Sequence, residues 1–347
     1  MKTEHLLIIR FSAIGDVAMA VPVVKALAEQ YPHLRITFLS RPFARPLFEG
    51  LAPNVGFMEA DIKGEYRGVK GLNKLYRRLT AKQFTAIADF HNILRSNYLR
   101  LRFNLGMFRV EHINKHRSGK RRLTSQSKKR LVQQPTTFEN YADVLARLGY
   151  PVKLDEKLEV LVPGLEGNPI DSSPFHVSHA PVIGVAPFAA HRGKIYPEEK
   201  MEKVLDLLTA RWPGCRIYLI GGGGKERETM TEWAAKYLQC TLASTVAKGL
   251  KEELQLMSRL SVMLSMDSAN MHLASLAGVP VVSVWGATHP YAGFLGWGQT
   301  ADNCIQTDLD CRPCSIYGKK PCQRGDYACL NLITPKQIVD KLEIYLK

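Results

Sequence analysis

The chain has 347 residues, 46% of them hydrophobic, which exceeds what one ordinary domain core holds and predicts two domains. Its formal net charge is +15, so an anionic partner is expected. The opening MKTEHLLIIRF has an acid and only a four-residue apolar run before Arg10, and no later stretch reaches membrane-spanning length. These features point away from a signal peptide and a membrane span and toward a cytoplasmic protein. In that compartment the seven cysteines are not expected to form a disulfide framework.

In chain order, Leu6–Phe11 is a continuous apolar run and reads as a buried parallel strand. Ser12-Ala13-Ile14-Gly15-Asp16 follows, and then a helical pattern through Val17, Val21, Val24 and Leu27. Pro22 inside that pattern predicts a kink or an earlier helix boundary. Gly15 permits a tight turn, and Asp16 lands at the helix start. Arg35–Ser40 and Val55–Glu59 read as strands, 70–82 as a helix, and Phe84–Phe90 as a further strand, with His91 at its end. Thr136 opens a helix to Leu148, with Glu139 three positions on completing a capping box. The alternation predicts an open parallel sheet with helices on both faces, whose ligands sit at the carboxyl ends of strands.

The charge is concentrated: between Arg95 and Arg130 stand 12 Lys and Arg against a single acid, Glu111. Arg95, Arg100, Arg102, Lys120 and Arg121 are the candidates from this stretch for holding an anionic partner. A solvated, flexible loop is the competing reading for 115–130. No zinc-finger, helix-turn-helix or RNA-binding fingerprint accompanies the charge, so an anionic glycolipid or bilayer is preferred to nucleic acid.

Pro, Gly, Asn and Ser recur without apolar periodicity around 164–180, which is expected to be the linker between domains at 1–163 and 181–334. The second series begins with a strand at Val182–Val185 and continues through APFAAHRGKIYP, the helix Pro197–Arg211 and the strand Arg216–Ile220. Gly221 to Gly224 then permit close backbone approach to a nucleotide, and Glu226 or Glu228 could accept its ribose hydroxyls. A flexible strand-to-helix turn explains the same glycines. The series culminates in LSMDSANMHLASLAGVPVVSVWGATHP: a strand ending at Asp267, a short helix from Ser268 to Ala277, and a strand at Val281–Trp285. Its unpaired N–H groups and dipole suit a phosphate at that helix start, although Asp267 could equally be a simple N-cap and His272 a satisfied helix histidine.

Four cysteines follow, Cys311, Cys314, Cys322 and Cys329. Their spacing could close a tetrahedral zinc site, but C-x2-C appears once where zinc ribbons use it twice, so buried structural thiols are the preferred reading.

The segments RFSAIGDVAMAVPVVKAL and MDSANMHLASLAGVPVVSVWGATHP are similar to the N- and C-terminal motifs of glycosyltransferase family 9, the ADP-heptose:lipopolysaccharide heptosyltransferases. The resemblance implies a GT-B architecture: α/β, two doubly wound Rossmann-like domains facing a central cleft. A C-terminal helix over 335–347 would pack back toward the first domain. It also implies inverting transfer from ADP-heptose or a related nucleotide sugar to a lipopolysaccharide inner-core acceptor at the inner face of the cytoplasmic membrane, with no metal required. Asp16 matches the proposed catalytic base. As an N-cap alone its carboxylate would bond backbone N–H groups and make a weaker base. Lys194 resembles the family's phosphate-contacting lysine, with His191 and Arg192 as neighbours able to reach phosphate. Asp267, Ser268 and His272 match the donor motif, and Ala269 stands where the family usually has glycine. Similar cysteine-rich tails occur in the family apart from its catalytic machinery, so this one is expected away from the chemistry. A nucleotide-sugar epimerase of the same fold and a non-catalytic binding module are the alternatives.

Overall fold

The computed structural model describes residues 4–157, 159–162 and 180–346. The expected linker at 164–180 lies outside the described residues except for its last position. The chain divides into two compact units.

The first unit is built on a five-stranded parallel sheet, β1 (His5–Ile9), β2 (Arg35–Ser40), β3 (Val55–Glu59), β4 (Ala86–Asp89) and β5 (Arg109–His112), in the order β3-β2-β1-β4-β5. Every residue of β1 and β4 is buried, as the apolar runs Leu6–Ile9 and Ala86–Ala88 require of strands covered on both faces. The expected first helix is two: Ile14–Ala18 and Ala20–Gln30 meet at Met19, and Pro22 sits in the first turn of the second, where its missing N–H costs no helical bond. Thr136 caps Thr137–Arg147 as expected, its Oγ1 accepting from the Glu139 N–H at 3.1 Å while Glu139 accepts from the Thr136 N–H at 2.6 Å.

The second unit has a six-stranded parallel sheet, β6 (Val182–Ala186), β7 (Arg216–Leu219), β8 (Cys240–Leu242), β9 (Val262–Met266), β10 (Val281–Trp285) and β11 (Cys304–Gln306), in the order β11-β10-β9-β6-β7-β8. Two departures from the expected boundaries concern this unit. Residues 116–135 cluster with it and not with the first unit, so the basic segment is divided between the two. Lys120 is buried there with its ammonium 4.2 Å from the Phe294 ring, and the Gln134 N–H bonds the Tyr291 carbonyl. The C-terminal helix, Pro335–Glu343, also belongs here: it packs on the Glu198–Arg211 helix and buries Ile338, Val339 and Leu342 in the second core. Its apolar stripe at i, i+1 and i+4 finds a large hydrophobic surface within its own unit, which explains its placement.

In each sheet the strand order reverses beside the first strand of the unit. β1 lies between β2 and β4, and β6 between β7 and β9. Loops leaving neighbouring strands at such a reversal run to opposite faces and open a crevice at the strands' carboxyl ends.

Candidate active site

At the first reversal, Ile9 pairs with Asp89, so the segments after β1 and β4 emerge side by side. Asp16 stands there in the first turn of the Ile14–Ala18 helix, its side chain one-third exposed. Its Oδ2 accepts from the Ala13 N–H at 3.2 Å and lies 2.5 Å from the Arg10 guanidinium. The backbone cap and the charge partner therefore coexist with an outward-facing carboxylate. Arg10 is buried and donates its other arm to the Phe90 carbonyl at 2.7 Å. Burial alone would lower the Arg10 pKa, but the Tyr141 hydroxyl and Asp16 more than offset it and hold the group above its ordinary value. Tyr141 stacks on Phe90 and donates to the Asp16 carbonyl at 3.0 Å, fixing the backbone from which the carboxylate projects.

His91 completes this end. Its Nδ1 accepts from the Phe11 N–H at 3.3 Å, and its Nε2 lies 3.5 Å from the Ser12 hydroxyl. Burial, reinforced by Arg10 and Lys115, pushes its pKa down to about 3, so it is a neutral imidazole at ordinary pH. Asp89 beneath it accepts from the His91 and Asn92 N–H groups at 2.8 and 2.9 Å.

At the second reversal, Ala186 pairs with Ser265, which brings the β6 and β9 ends together. The Lys194 Nζ, on the loop after β6, lies 2.9 Å from the Asp267 Oδ2, just beyond β9; the side chains are 16% and 5% exposed. Thr288, buried after β10, donates to the same oxygen at 2.7 Å. Ser268 caps the Ala269–Leu276 helix with an extended backbone, and its hydroxyl meets the Ser265 hydroxyl at 3.2 Å without bonding the helix itself. The backbone N–H groups of such a first turn have no intrahelical acceptor. His272 lies one turn in and is buried. A lysine cation, a hydroxyl pair and a helix start thus share one strand-end crevice, a set of donors suited to a diphosphate.

The cysteine-rich segment is not remote from this site, which corrects the expectation that it stands apart. Arg312 is buried and donates to the Gly286 carbonyl at 2.6 Å and the Thr288 carbonyl at 2.9 Å. The Cys314 and Ser315 N–H groups bond the Ala287 carbonyl. Gly318, at φ +73°, lies under the Lys194 stem: a Cβ there would sit 2.5 Å from Lys194 Cγ. The loop that carries Thr288 and the stem that carries the ammonium are both braced by residues 312–318. Among the described residues no three His, Cys, Asp or Glu side chains gather as metal ligands, and Cys329 is packed in the second core.

The remaining predicted residues are scattered. Glu226, at the start of the Lys225–Lys236 helix beyond β7, accepts from the Gly222 N–H at 2.9 Å and so folds the glycine turn onto itself. Arg192 donates to the Ile195 carbonyl and lies over the Tyr327 ring. Arg100 pairs with Asp89 and Asn92, and Arg102 with Asn73 and the Tyr76 ring, so both are engaged within the first unit. Arg95 and Arg121 are exposed, the first in the first unit and the second in the other. Arg10, Tyr141, Thr288 and Arg312 were not singled out from sequence. Thr288 carried a usable signal, as a polar residue three positions beyond a fully buried strand.

Residues 72–324 match the sequence model described as "Glycosyltransferase family 9 (heptosyltransferase)". The lipopolysaccharide core heptosyltransferase OpsX of Haemophilus influenzae is 23% identical over 288 residues, 83% of this chain and 80% of that protein. A glycosyl transferase family 9 structure from Veillonella parvula superposes with a TM-score of 0.72 at 18% identity, covering 100% of this chain and 98% of the other. The E. coli heptosyltransferase WaaC with ADP-2-deoxy-2-fluoro heptose superposes with a TM-score of 0.69 at 16% identity, covering 98% of this chain and 99% of the other.

Proposed function

The chain belongs to glycosyltransferase family 9, the heptosyltransferases, and on that premise we propose that it moves a heptose, with inversion, from ADP-heptose to the inner core of lipopolysaccharide. The observation that carries the donor assignment is the meeting of Lys194, Asp267 and Thr288 beside the start of the Ala269–Leu276 helix, at the strand reversal of the second sheet. A diphosphate there gains a lysine cation and helix N–H groups, which also stabilise the charge that grows on the leaving nucleoside diphosphate. Those donors do the work a divalent cation does elsewhere, so the reaction needs no metal.

In this reading Asp16 accepts the proton of an acceptor hydroxyl as its oxygen attacks the anomeric carbon, and the bond from that carbon to the diphosphate oxygen breaks with the electron pair leaving on phosphate. Arg10 pairs with the carboxylate and aims it, and Tyr141 fixes the backbone behind it. His91 is neutral and contributes a hydrogen-bonding ring without adding a second positive charge. Glu226 is the proposed ribose partner once a nucleotide displaces its bond to Gly222. Arg95 and Arg121 are the accessible members of the proposed acceptor set. The acceptor places the reaction on the cytoplasmic face of the inner membrane.

The test is to incubate the protein with a panel of nucleotide sugars, with and without a lipid A-core acceptor, and measure nucleoside-diphosphate release and sugar incorporation. Release from ADP-heptose that depends on the acceptor supports the proposal. Product formed without acceptor would assign an epimerase, and binding without turnover a non-catalytic module.

A further inference from the structure

The helix Leu94–Leu105 has two apolar faces. Ser96, Leu99 and Phe103 are buried against the first unit, whereas Leu94, Leu101 and Leu105, at i, i+7 and i+11, form a second stripe on the opposite side. These three leucines are 86%, 56% and 73% exposed, and Met107, just past the helix end, is 92% exposed. An ordinary surface helix buries its single apolar stripe and presents polar residues outward. The neighbouring helix Gly68–Thr80, tied to this one by Asn73 bonds to Tyr98 and Arg102, adds the exposed Val69.

The charge around this apolar group is mostly positive, with Glu65 ahead of the Gly68–Thr80 helix paired to Lys74. From 66 to 110 the sequence contains ten Lys and Arg, and its one acid, Asp89, is fully buried and paired with Arg100. Lys70, Arg77 and Arg95 are exposed on the two helices that carry the leucines. Flexible aliphatic side chains flanked by cations suit acyl chains below a layer of anionic headgroups. They offer none of the exposed aromatic platforms on which nucleic-acid bases stack.

We propose that the outer faces of the Leu94–Leu105 and Gly68–Thr80 helices form a membrane-docking surface that inserts Leu94, Leu101, Leu105 and Met107 into the interface of an anionic bilayer. The proposal deepens the reading of the acceptor as a membrane-anchored glycolipid, because it names the part of the protein that holds the enzyme at the layer where the acceptor resides. It differs from binding by charge alone, since both leucines and cations are required.

The full-length protein is to be floated with vesicles of phosphatidylethanolamine and phosphatidylglycerol, and with phosphatidylcholine vesicles as the uncharged comparison. Wild type is expected to partition onto the anionic vesicles. The triple variant Leu94→Ser, Leu101→Ser and Leu105→Ser is expected to lose at least tenfold in partitioning, with an unchanged melting temperature because all three side chains are already solvated. Lys70→Gln with Arg77→Gln is expected to weaken binding and flatten its salt dependence. Leu238→Ser, a fully exposed leucine in the other unit, is expected to change nothing. Unchanged flotation of the triple variant overturns the proposal. So does a wild-type dimer that the triple variant dissociates, since the stripe would then serve a second copy. Transfer to a water-soluble, delipidated core oligosaccharide separates the two readings: the triple variant retains it while losing transfer to vesicle-borne acceptor. Vesicle binding without any transfer would sink the proposed function and leave the surface standing.

Discussion

Replacing Lys194 with Met tests whether the second crevice is a donor site or merely a folded-state ion pair. The Nζ–Oδ2 separation of 2.9 Å corresponds to a gross attraction of about 6 kcal/mol at an effective dielectric constant of about 20, much of it offset by desolvation. Removing the ammonium leaves the Asp267 carboxylate buried with Thr288 as its remaining side-chain donor, at a cost of about 3 kcal/mol, the low end for such pairs because Lys194 retains some solvent contact. That lowers the melting temperature of a unit of this size by roughly 6–12 °C. If the ammonium also holds diphosphate, its loss weakens nucleoside-diphosphate binding by roughly 10- to 150-fold. Asp267→Asn separates the effects. It removes the anion that competes with phosphate for Lys194 and keeps the cation, so stability falls while affinity for ADP holds or rises. In the double variant the stability losses are expected to fall short of their sum by about 1–3 kcal/mol. Thermal unfolding of the free proteins and calorimetric titration with ADP and ADP-heptose supply both quantities. A Lys194→Met protein that binds ADP as wild type does, or stability losses that simply add, would refute this account.

Four further outcomes follow from the same geometry. Asp16→Asn should reduce turnover by roughly 10²- to 10⁴-fold while donor affinity changes less than about twofold, as measured by steady-state kinetics and titration. Gly318→Ala should lower ADP affinity without removing any charge, because its Cβ displaces the Lys194 stem and its backbone is left-handed; retention of full affinity would show that the stem has room to move. For His91 the ring is neutral in the fold down to a pKa of about 3, whereas the unfolded chain takes up a proton near 6.5, so stability is lost as pH falls between those values. At pH 5.5 the loss is about 1.4 kcal/mol, and His91→Gln should show a shallower fall in melting temperature from pH 7 to 5 than wild type. Transfer should continue undiminished in EDTA, and metal analysis of protein purified without chelator checks whether the cysteine segment carries zinc.

Much of the fold was legible because its central strands are buried on both faces. β10 begins and ends where its apolar run does, β2 and the outer strand β3 span the ranges read from sequence through their apolar centres, and the Thr136 capping box placed its helix to within a residue. The short outer strands β5, β8 and β11 left no such trace. β5 is Arg-Val-Glu-His, polar at three of its four positions, because an edge strand has one neighbour and meets solvent. The second-unit placement of 116–135 was illegible for a different reason. It rests on long-range contacts such as Lys120 with Phe294 and Gln134 with Tyr291, and no local periodicity encodes a partner more than 150 residues away. Among the candidate site residues, Asp16, Lys194 and Asp267 were reachable through motifs, but Arg10 and Arg312 were not. Each is an arginine in an otherwise ordinary loop whose importance lies in burial against backbone carbonyls.

The two sheets reverse in the same way, yet the residues at the two reversals have opposite electrostatic character. In the first unit a buried arginine holds a partly exposed carboxylate; in the second, a mostly buried carboxylate and a buried threonine orient a lysine that keeps more solvent contact than its partner. The accessible group is thus an anion in one case and a cation in the other, and the inner group is its counter-charge. The sorting follows from desolvation: a single ionised side chain at a strand end loses hydration, and an inner partner offsets that cost while leaving the outer atom available. In the proposed reaction the first of these groups would serve as proton acceptor and the second as phosphate ligand. Conversely, reversing the first pair with Arg10→Glu and Asp16→Arg should keep a charge pair, lower stability through loss of the Arg10 bond to the Phe90 carbonyl, and abolish transfer, because the outward atom would then repel the proton it must accept. Retained activity in that exchanged protein would remove the outward carboxylate from the chemistry.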